Sequence, residues 1–210
     1  MTPDFSPPTP TPVLAPERLA AAYSYTAYRQ LVDDQLAQGK TTGPEQTEDL
    51  VNFTKLNVQR MSRLDKTTHI LPELADAAKH VPYPQVWLLL TEGWCGDAAQ
   101  IVPVLERIAQ ASAGNISTRY LLRDENLDIM DRYLTGTSRA IPRLVVLRAD
   151  TLEEVAQWGP RPVAAQEVVR TAKAAGMSHD EFIAQLHAWY AHDKTQAIQQ
   201  EMLQLVKEVK

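Results

Sequence analysis

The strongest hydrophobic feature of the chain is the continuous apolar run from Val86 to Leu90. A run of this length without polar alternation, ended by Glu92-Gly93, predicts a strand buried on both faces of a mostly parallel sheet. Apolar residues then recur at helical spacing from Ile101 to Ala109, which predicts a helix. The pattern therefore places Trp94-Cys95-Gly96-Asp97 on a strand-to-helix turn, with Cys95 at or just inside the first helical turn.

The rest of the pattern alternates in the same way between strands and helices. Further strands are predicted at residues 116–122, 144–147 and 154–159. Helices are predicted at residues 16–39, 45–64, 72–79, 124–133, 164–175 and 180–206. This order predicts an α/β fold, in which a central mixed sheet carries helices on both faces and an N-terminal helical extension precedes it.

The predicted elements divide the chain into three segments. Residues 1–16 contain six of the fourteen prolines and predict a disordered tail, since this composition cannot bury enough apolar surface. Residues 17–80 form the predicted helical extension. Residues 81–210 form the predicted main domain, with long C-terminal helices.

Composition and charge narrow the class of protein. The chain has 210 residues, 44% of them hydrophobic, which is enough for a core. A net charge of −5 argues against nonspecific binding to nucleic acid or to anionic membranes, both of which favour a basic face. No apolar run is long enough to span a membrane, and the N-terminus lacks the pattern of a secretory signal. With one cysteine and no disulfide framework, a cytoplasmic location is predicted.

Three landmarks carry a resemblance to a known family. They are Trp94-Cys95-Gly96 after an apolar strand, Pro103 in the following helix, and the strand that opens at Ile141-Pro142. In this order they resemble the thioredoxin superfamily, whose motif is W-C-G-P-C, over roughly residues 82–192. The sequence is most similar to bacterial thioredoxin-like proteins of unassigned activity. The resemblance implies that Ile141-Pro142 is a cis-proline segment packed beside Cys95.

The departures from this family limit the chemistry. Asp97 and Ala98 occupy the positions of the motif's proline and second cysteine, so no disulfide can form across the turn. Leu89 stands where thioredoxins carry a buried aspartate. The resemblance therefore implies, at most, monothiol exchange in which Cys95 forms a mixed disulfide with a protein or a low-molecular-weight thiol.

Two interpretations of Cys95 remain open. A helix N-terminus stabilises a thiolate and predicts a solvent-reachable, acidic thiol, although Asp97 opposes a second negative charge. A free cysteine is otherwise among the most buried residue types, and such a thiol is inert. Arg139 and Arg143 flank the proline and would offset Asp97 if either side chain turned toward the sulfur. The candidate catalytic residue is Cys95, and the candidate binding residues are Trp94, Gly96, Asp97, Ile141, Pro142 and Arg143.

No other motif indicates a cofactor or a metal site. Phosphate-binding, dinucleotide-binding and serine-hydrolase glycine motifs are absent, and the acidic string at Asp124 lacks the glycine of a calcium loop at Ile129. All five histidines are interpreted as surface or capping residues. The basic residues Arg60, Arg63 and Lys66 are interpreted as a solvated helix face, with anion binding as the alternative.

Two functions are thus compatible with the sequence. One is a monothiol thiol-disulfide oxidoreductase that uses Cys95. The other is a redox-silent thioredoxin-fold module that binds a partner through the groove beside Ile141-Pro142. The sequence leaves the oligomeric state open.

Overall fold

The computed structural model describes residues 12–209 of the chain. In this part the strands are β1 (Gln85–Thr91), β2 (Ile116–Leu122), β3 (Arg143–Arg148) and β4 (Glu154–Trp158). The α-helices are α1 (Pro16–Ala21), α2 (Tyr25–Ala37), α3 (Glu48–Thr67), α4 (Pro72–Lys79), α5 (Gly96–Ala111), α6 (Leu127–Met130), α7 (Val163–Ala174), α8 (His179–Asp193) and α9 (Gln196–Glu208). None of the helices in this part is both long enough and apolar enough to cross a membrane.

The four strands form one mixed sheet in the order β2-β1-β3-β4. Strand β1 pairs in parallel with β2 and antiparallel with β3, and β4 pairs antiparallel with β3 at the edge. Two of the three pairings are antiparallel, so the expectation of a mostly parallel sheet is wrong and the mixed sheet is the one observed. All seven residues of β1 are buried, so both faces of the sheet are covered. The predicted α/β fold is confirmed, and α3 packs along α5 beside the C-terminal end of β1.

The helix predicted for residues 16–39 is in fact two helices. The chain leaves the helix after α1 because Tyr23 exchanges backbone hydrogen bonds of 3.0 and 2.9 Å with Tyr120 of β2. Ser24 then caps α2, its side chain accepting a hydrogen bond from the Ala27 N–H. Pairing with the sheet thus overrides the local helical pattern.

Two further predicted helices are shorter than expected. The helix predicted for residues 180–206 is interrupted at Lys194 and Thr195, whose φ angles of 50° and 68° lie in the left-handed region. The helix predicted for residues 124–133 is a 3₁₀ turn followed by α6. Leu134, just after this segment, is 40% exposed.

The predicted N-terminal tail falls largely on residues 1–11, which lie outside the described part. Within the described part, Val13 and Leu14 are buried, and the Val13 N–H donates to the Leu152 carbonyl at 3.0 Å. These two residues of the predicted tail therefore pack against the hydrophobic core, and the boundary of the tail at residue 16 stays a prediction. The division into an extension and a main domain at residue 80 stays a prediction.

Candidate functional site

The strand-to-helix turn after β1 places Cys95 at the N-cap of α5. Its backbone is extended, with φ −77° and ψ 115°, and its sulfur accepts a hydrogen bond from the Ala98 N–H at 3.4 Å. Cys95 thus satisfies one of the free N–H groups of the first helical turn, as a serine or aspartate does at other N-caps.

The Cys95 thiol is buried and protonated. The residue is 8% exposed, and its Sγ–H donates to the Ile141 carbonyl at 3.4 Å, next to the cis Ile141–Pro142 peptide bond. Burial, followed by the charge of Asp97, raises the pKa of this thiol to about 12. The expectation of an acidic, solvent-reachable thiol is therefore wrong, because desolvation outweighs the effect of the helix N-terminus.

Asp97 is the centre of a buried polar cluster beside the thiol. Its carboxylate forms an ion pair with Arg161 at 2.6 Å and accepts a hydrogen bond from the Tyr190 hydroxyl at 2.8 Å. The cluster joins the start of α5 to α8 and to the segment between β4 and α7. Arg161 is the cation that acts on Cys95, where its charge lowers the thiol pKa less than burial raises it.

The two arginines that flank Pro142 do not face the sulfur. Arg143 is buried and donates to the Thr135 hydroxyl at 2.6 Å. Arg139 forms an exposed ion pair with Asp131 at 2.6 Å. Neither side chain offsets the charge of Asp97.

A cleft of about 490 Å³ opens beside the turn. Five of the residues singled out from the sequence line it: Trp94, Cys95, Gly96, Asp97 and Ile141. Pro142 and Arg143 are not among its lining residues. The structure thus brings five of the seven predicted residues together around one cleft.

Helix α3 supplies an apolar wall of this cleft. Leu50, Phe53 and Leu56 line it, and Leu56 is 46% exposed. Trp94 adds an aromatic surface, with the Arg123 guanidinium stacked 4.8 Å from its ring centroid. The apolar stripe of α3 therefore continues beyond the protein core into the cleft.

Two polar residues of the cleft were missed as site residues. Arg60 donates to the Asn57 side chain at 2.8 Å, and Asn57 donates to the Gly93 carbonyl at 3.0 Å. His187 on α8 lies over Gly96, and burial together with the charge of Arg60 lowers its pKa to about 4. The sequence signal for Arg60 was its basic cluster. For His187 the only signal was its position three residues before the inward-facing Tyr190.

The buried carboxyl group of Glu92 stabilises the turn that leads to Cys95. Glu92 is fully buried and accepts hydrogen bonds from the Thr42 hydroxyl and from the Asp124 N–H. Thr42 also accepts a hydrogen bond from the Gly93 N–H at 2.8 Å. Burial raises the pKa of Glu92 to about 7. This network ties the segment before α3 to the residues just ahead of Cys95.

Comparison with solved structures gives two similar chains. An HIV epitope-scaffold shares 15% sequence identity at a TM-score of 0.54, covering 90% of this chain and all of the scaffold chain. A protein of unknown function, PA1234 from Pseudomonas aeruginosa, shares 16% identity at a TM-score of 0.47, covering 80% of this chain and 96% of that chain. At this identity the likeness to the scaffold shows the fold alone.

Comparison with curated proteins gives no match. The sequence profile of the family described as Thioredoxin matches residues 43–174, and the match begins inside the predicted helical extension. Because that match spans more than half of the chain, the chain belongs to the Thioredoxin family.

Proposed function

We propose that this chain is a redox-silent thioredoxin-fold binding protein that holds a ligand in the cleft beside Cys95. The state of the thiol supports this proposal, since Cys95 is buried and donates its hydrogen to the Ile141 carbonyl. The thiolate is the nucleophile in disulfide exchange. With a pKa of about 12, only about one thiol in 10⁵ is ionised at neutral pH.

The cleft itself has the properties of a ligand site. Its volume of about 490 Å³ falls within the range of roughly 300–1,000 Å³ that is typical of small-molecule pockets. Apolar side chains of α3 form one wall, and a few polar groups converge on the turn at Gly96. The partner and the cytoplasmic location stay predictions.

Monothiol exchange is the second candidate function. It is favoured by the position of Cys95, which lines the cleft together with Ile141. In that reaction the Cys95 thiolate attacks a disulfide, forms a mixed disulfide and releases the other half as a thiolate. A thiol from outside the chain then attacks the mixed disulfide and restores Cys95, since the chain has one cysteine.

The rate of Cys95 alkylation by iodoacetamide, measured against pH, separates the two functions. For the binding protein we expect no inflection below about pH 10 and a rate at least about 100-fold below that of the same chain in urea, where the pKa is about 8.5. The urea-unfolded chain is the matched control, and Cys95→Ser gives the background. An inflection near or below about pH 8.5 in the folded chain would select monothiol exchange instead.

A further inference from the structure

We infer that the cleft takes a small organic carboxylate with an apolar body, whose carboxylate is held by Arg60 and the imidazole of His187. This inference rests on the proposed binding function and adds the chemical class of the ligand. It is carried by the charge balance of the cleft, by two hydrogen-bond donors over Gly96, and by the apolar wall of α3.

Arg60 is the cleft arginine whose charge is not balanced. The other three arginines that line the cleft each pair with a carboxylate: Arg123 with Asp124, Arg139 with Asp131, and Arg161 with Asp97. Among residues 12–209, Arg60 has no carboxylate within ion-pair distance. Burial and the charge of Arg63 lower its pKa, and the negative charge of a bound anion would oppose this lowering.

The guanidinium of Arg60 is also held in place. Its Nη1 donates to the Asn57 Oδ1 at 2.8 Å, and Asn57 in turn donates to the Gly93 carbonyl at 3.0 Å. A guanidinium has five N–H donors, and this bond uses one of them. The remaining N–H groups lie in the plane of the guanidinium, a geometry that suits a carboxylate. Because the bond to Asn57 already holds the side chain, binding a carboxylate would cost little side-chain entropy.

His187 supplies a second donor at the same place. Its Nδ1 lies 3.4 Å from the Gln100 side-chain nitrogen, and because an amide NH₂ group only donates, Nδ1 accepts and Nε2 carries the hydrogen. A Cβ built on Gly96 would lie 2.9 Å from this Nε2 and 3.7 Å from Arg60 Nη1. The two donors therefore flank one point beside the first residue of α5.

The number of charges and the walls define the ligand further. The cleft has one unbalanced positive charge, that of Arg60, because the imidazole of His187 is neutral. A ligand with one negative charge balances it, which favours a carboxylate over a phosphate dianion. The chain as a whole has a net charge of −5, so this positive spot contrasts with the rest of the molecule. Leu50, Phe53 and Ile183 line the same cleft and provide contacts for an apolar body.

Isothermal titration calorimetry with octanoate, 1-octanol and inorganic phosphate tests the inference. Octanoate should bind the wild-type chain at least about tenfold more tightly than 1-octanol, because hydrogen bonds between two charged groups are stronger than hydrogen bonds to a neutral hydroxyl. Arg60→Gln should weaken octanoate binding by about tenfold or more and leave 1-octanol unchanged. The matched control Arg63→Gln removes the same charge one turn away on the exposed side of α3, and should change octanoate binding less than twofold.

The three compounds and the two variants distinguish the ways in which the inference could fail. Equal binding of octanoate and 1-octanol, with no effect of Arg60→Gln, would overturn the carboxylate assignment and leave the binding function in place. Phosphate binding as tight as that of octanoate would overturn it too, in favour of a phosphate ligand. If Arg63→Gln weakened octanoate binding as much as Arg60→Gln does, the result would count against the inference. Absence of any octanoate binding would count against it as well. Binding of 1-octanol by Arg60→Gln shows that the cleft of the variant is folded.

Discussion

Asp97, in the first turn of α5, has a structural role. Its carboxylate lies between Arg161 and Tyr190, so it fastens the start of α5 to two segments from the C-terminal half of the chain. The same charge raises the pKa of Cys95. One residue thus stabilises the surroundings of the turn and suppresses ionisation of the thiol.

Replacing Asp97 and replacing Arg161 should change the reactivity of Cys95 in opposite directions. Asp97→Asn removes a negative charge and should lower the thiol pKa, increasing the alkylation rate at about pH 9 by about tenfold. Arg161→Gln removes the cation and should decrease the rate. Both variants should lose about 3 kcal/mol of unfolding free energy, because each leaves a buried charge unpaired.

The two variants control for each other, since both break the same ion pair. Iodoacetamide kinetics report the thiol, and urea unfolding reports the stability. If both variants changed the alkylation rate in the same direction, the effect would come from loosening of the turn, and the electrostatic account of Cys95 would be refuted.

Much of this residue-scale picture could be predicted from the chain, but the state of the thiol could not. The order of Trp94-Cys95-Gly96 and Ile141 along the chain, with the family resemblance, was enough to expect them around one site. The pKa of Cys95 depends on its burial and on Arg161, which is distant in sequence. Burial of one atom is a property of tertiary packing, which periodicity does not encode.

At the scale of elements, the edge hairpin positions the segment that carries Arg161. Gly159 follows β4 with φ 118°, and a Cβ there would lie 2.5 Å from the Pro142 carbonyl oxygen. The close approach of these two backbones holds the start of the β4–α7 segment against the residue before β3. A side chain at this position is excluded both by the backbone conformation and by the neighbouring carbonyl.

We expect Gly159→Ala to destabilise the chain more than a matched glycine substitution elsewhere. Gly114 also has a positive φ, 93°, but a Cβ there meets nothing within 4 Å. Gly114→Ala should therefore cost about 1–2 kcal/mol of backbone strain, and Gly159→Ala should cost at least about 2 kcal/mol more, because a backbone atom must move. Urea unfolding of both variants measures the difference, and equal losses would show that the Pro142 contact is not important.

The elements themselves follow the sequence where local patterning and packing agree. All four strands and helices α3, α4, α5 and α7 lie within a few residues of their predicted positions, because their apolar spacing is also their buried face. The breaks at Ala22–Ser24 and Lys194–Thr195 were not predicted. The first depends on pairing with Tyr120 of β2, and the second on a left-handed pair that no glycine marks.

At the scale of the molecule, two buried groups oppose each other in the pH dependence of stability. Glu92 has its pKa raised from the ordinary 4.5 to about 7, so its contribution is present below pH 4.5 and is lost as the pH rises through 7. His187 has its pKa lowered from 6.5 to about 4, so its contribution is present above pH 6.5 and is lost as the pH falls through 4. Their windows overlap, and their slopes have opposite signs.

Single substitutions should therefore reveal slopes that partly cancel in the wild-type chain. In Glu92→Gln the slope of His187 remains unopposed, so the unfolding free energy should rise from pH 4.5 to pH 7 by up to about 3 kcal/mol more than in the wild type. In His187→Gln the slope of Glu92 remains, and the unfolding free energy should fall over the same range by a similar amount relative to the wild type. Urea unfolding at both pH values measures all three chains. Each variant serves as the control for the other, because all three chains share the remaining titrating groups. If the unfolding free energy had the same pH slope in all three chains, neither Glu92 nor His187 would titrate as its burial requires.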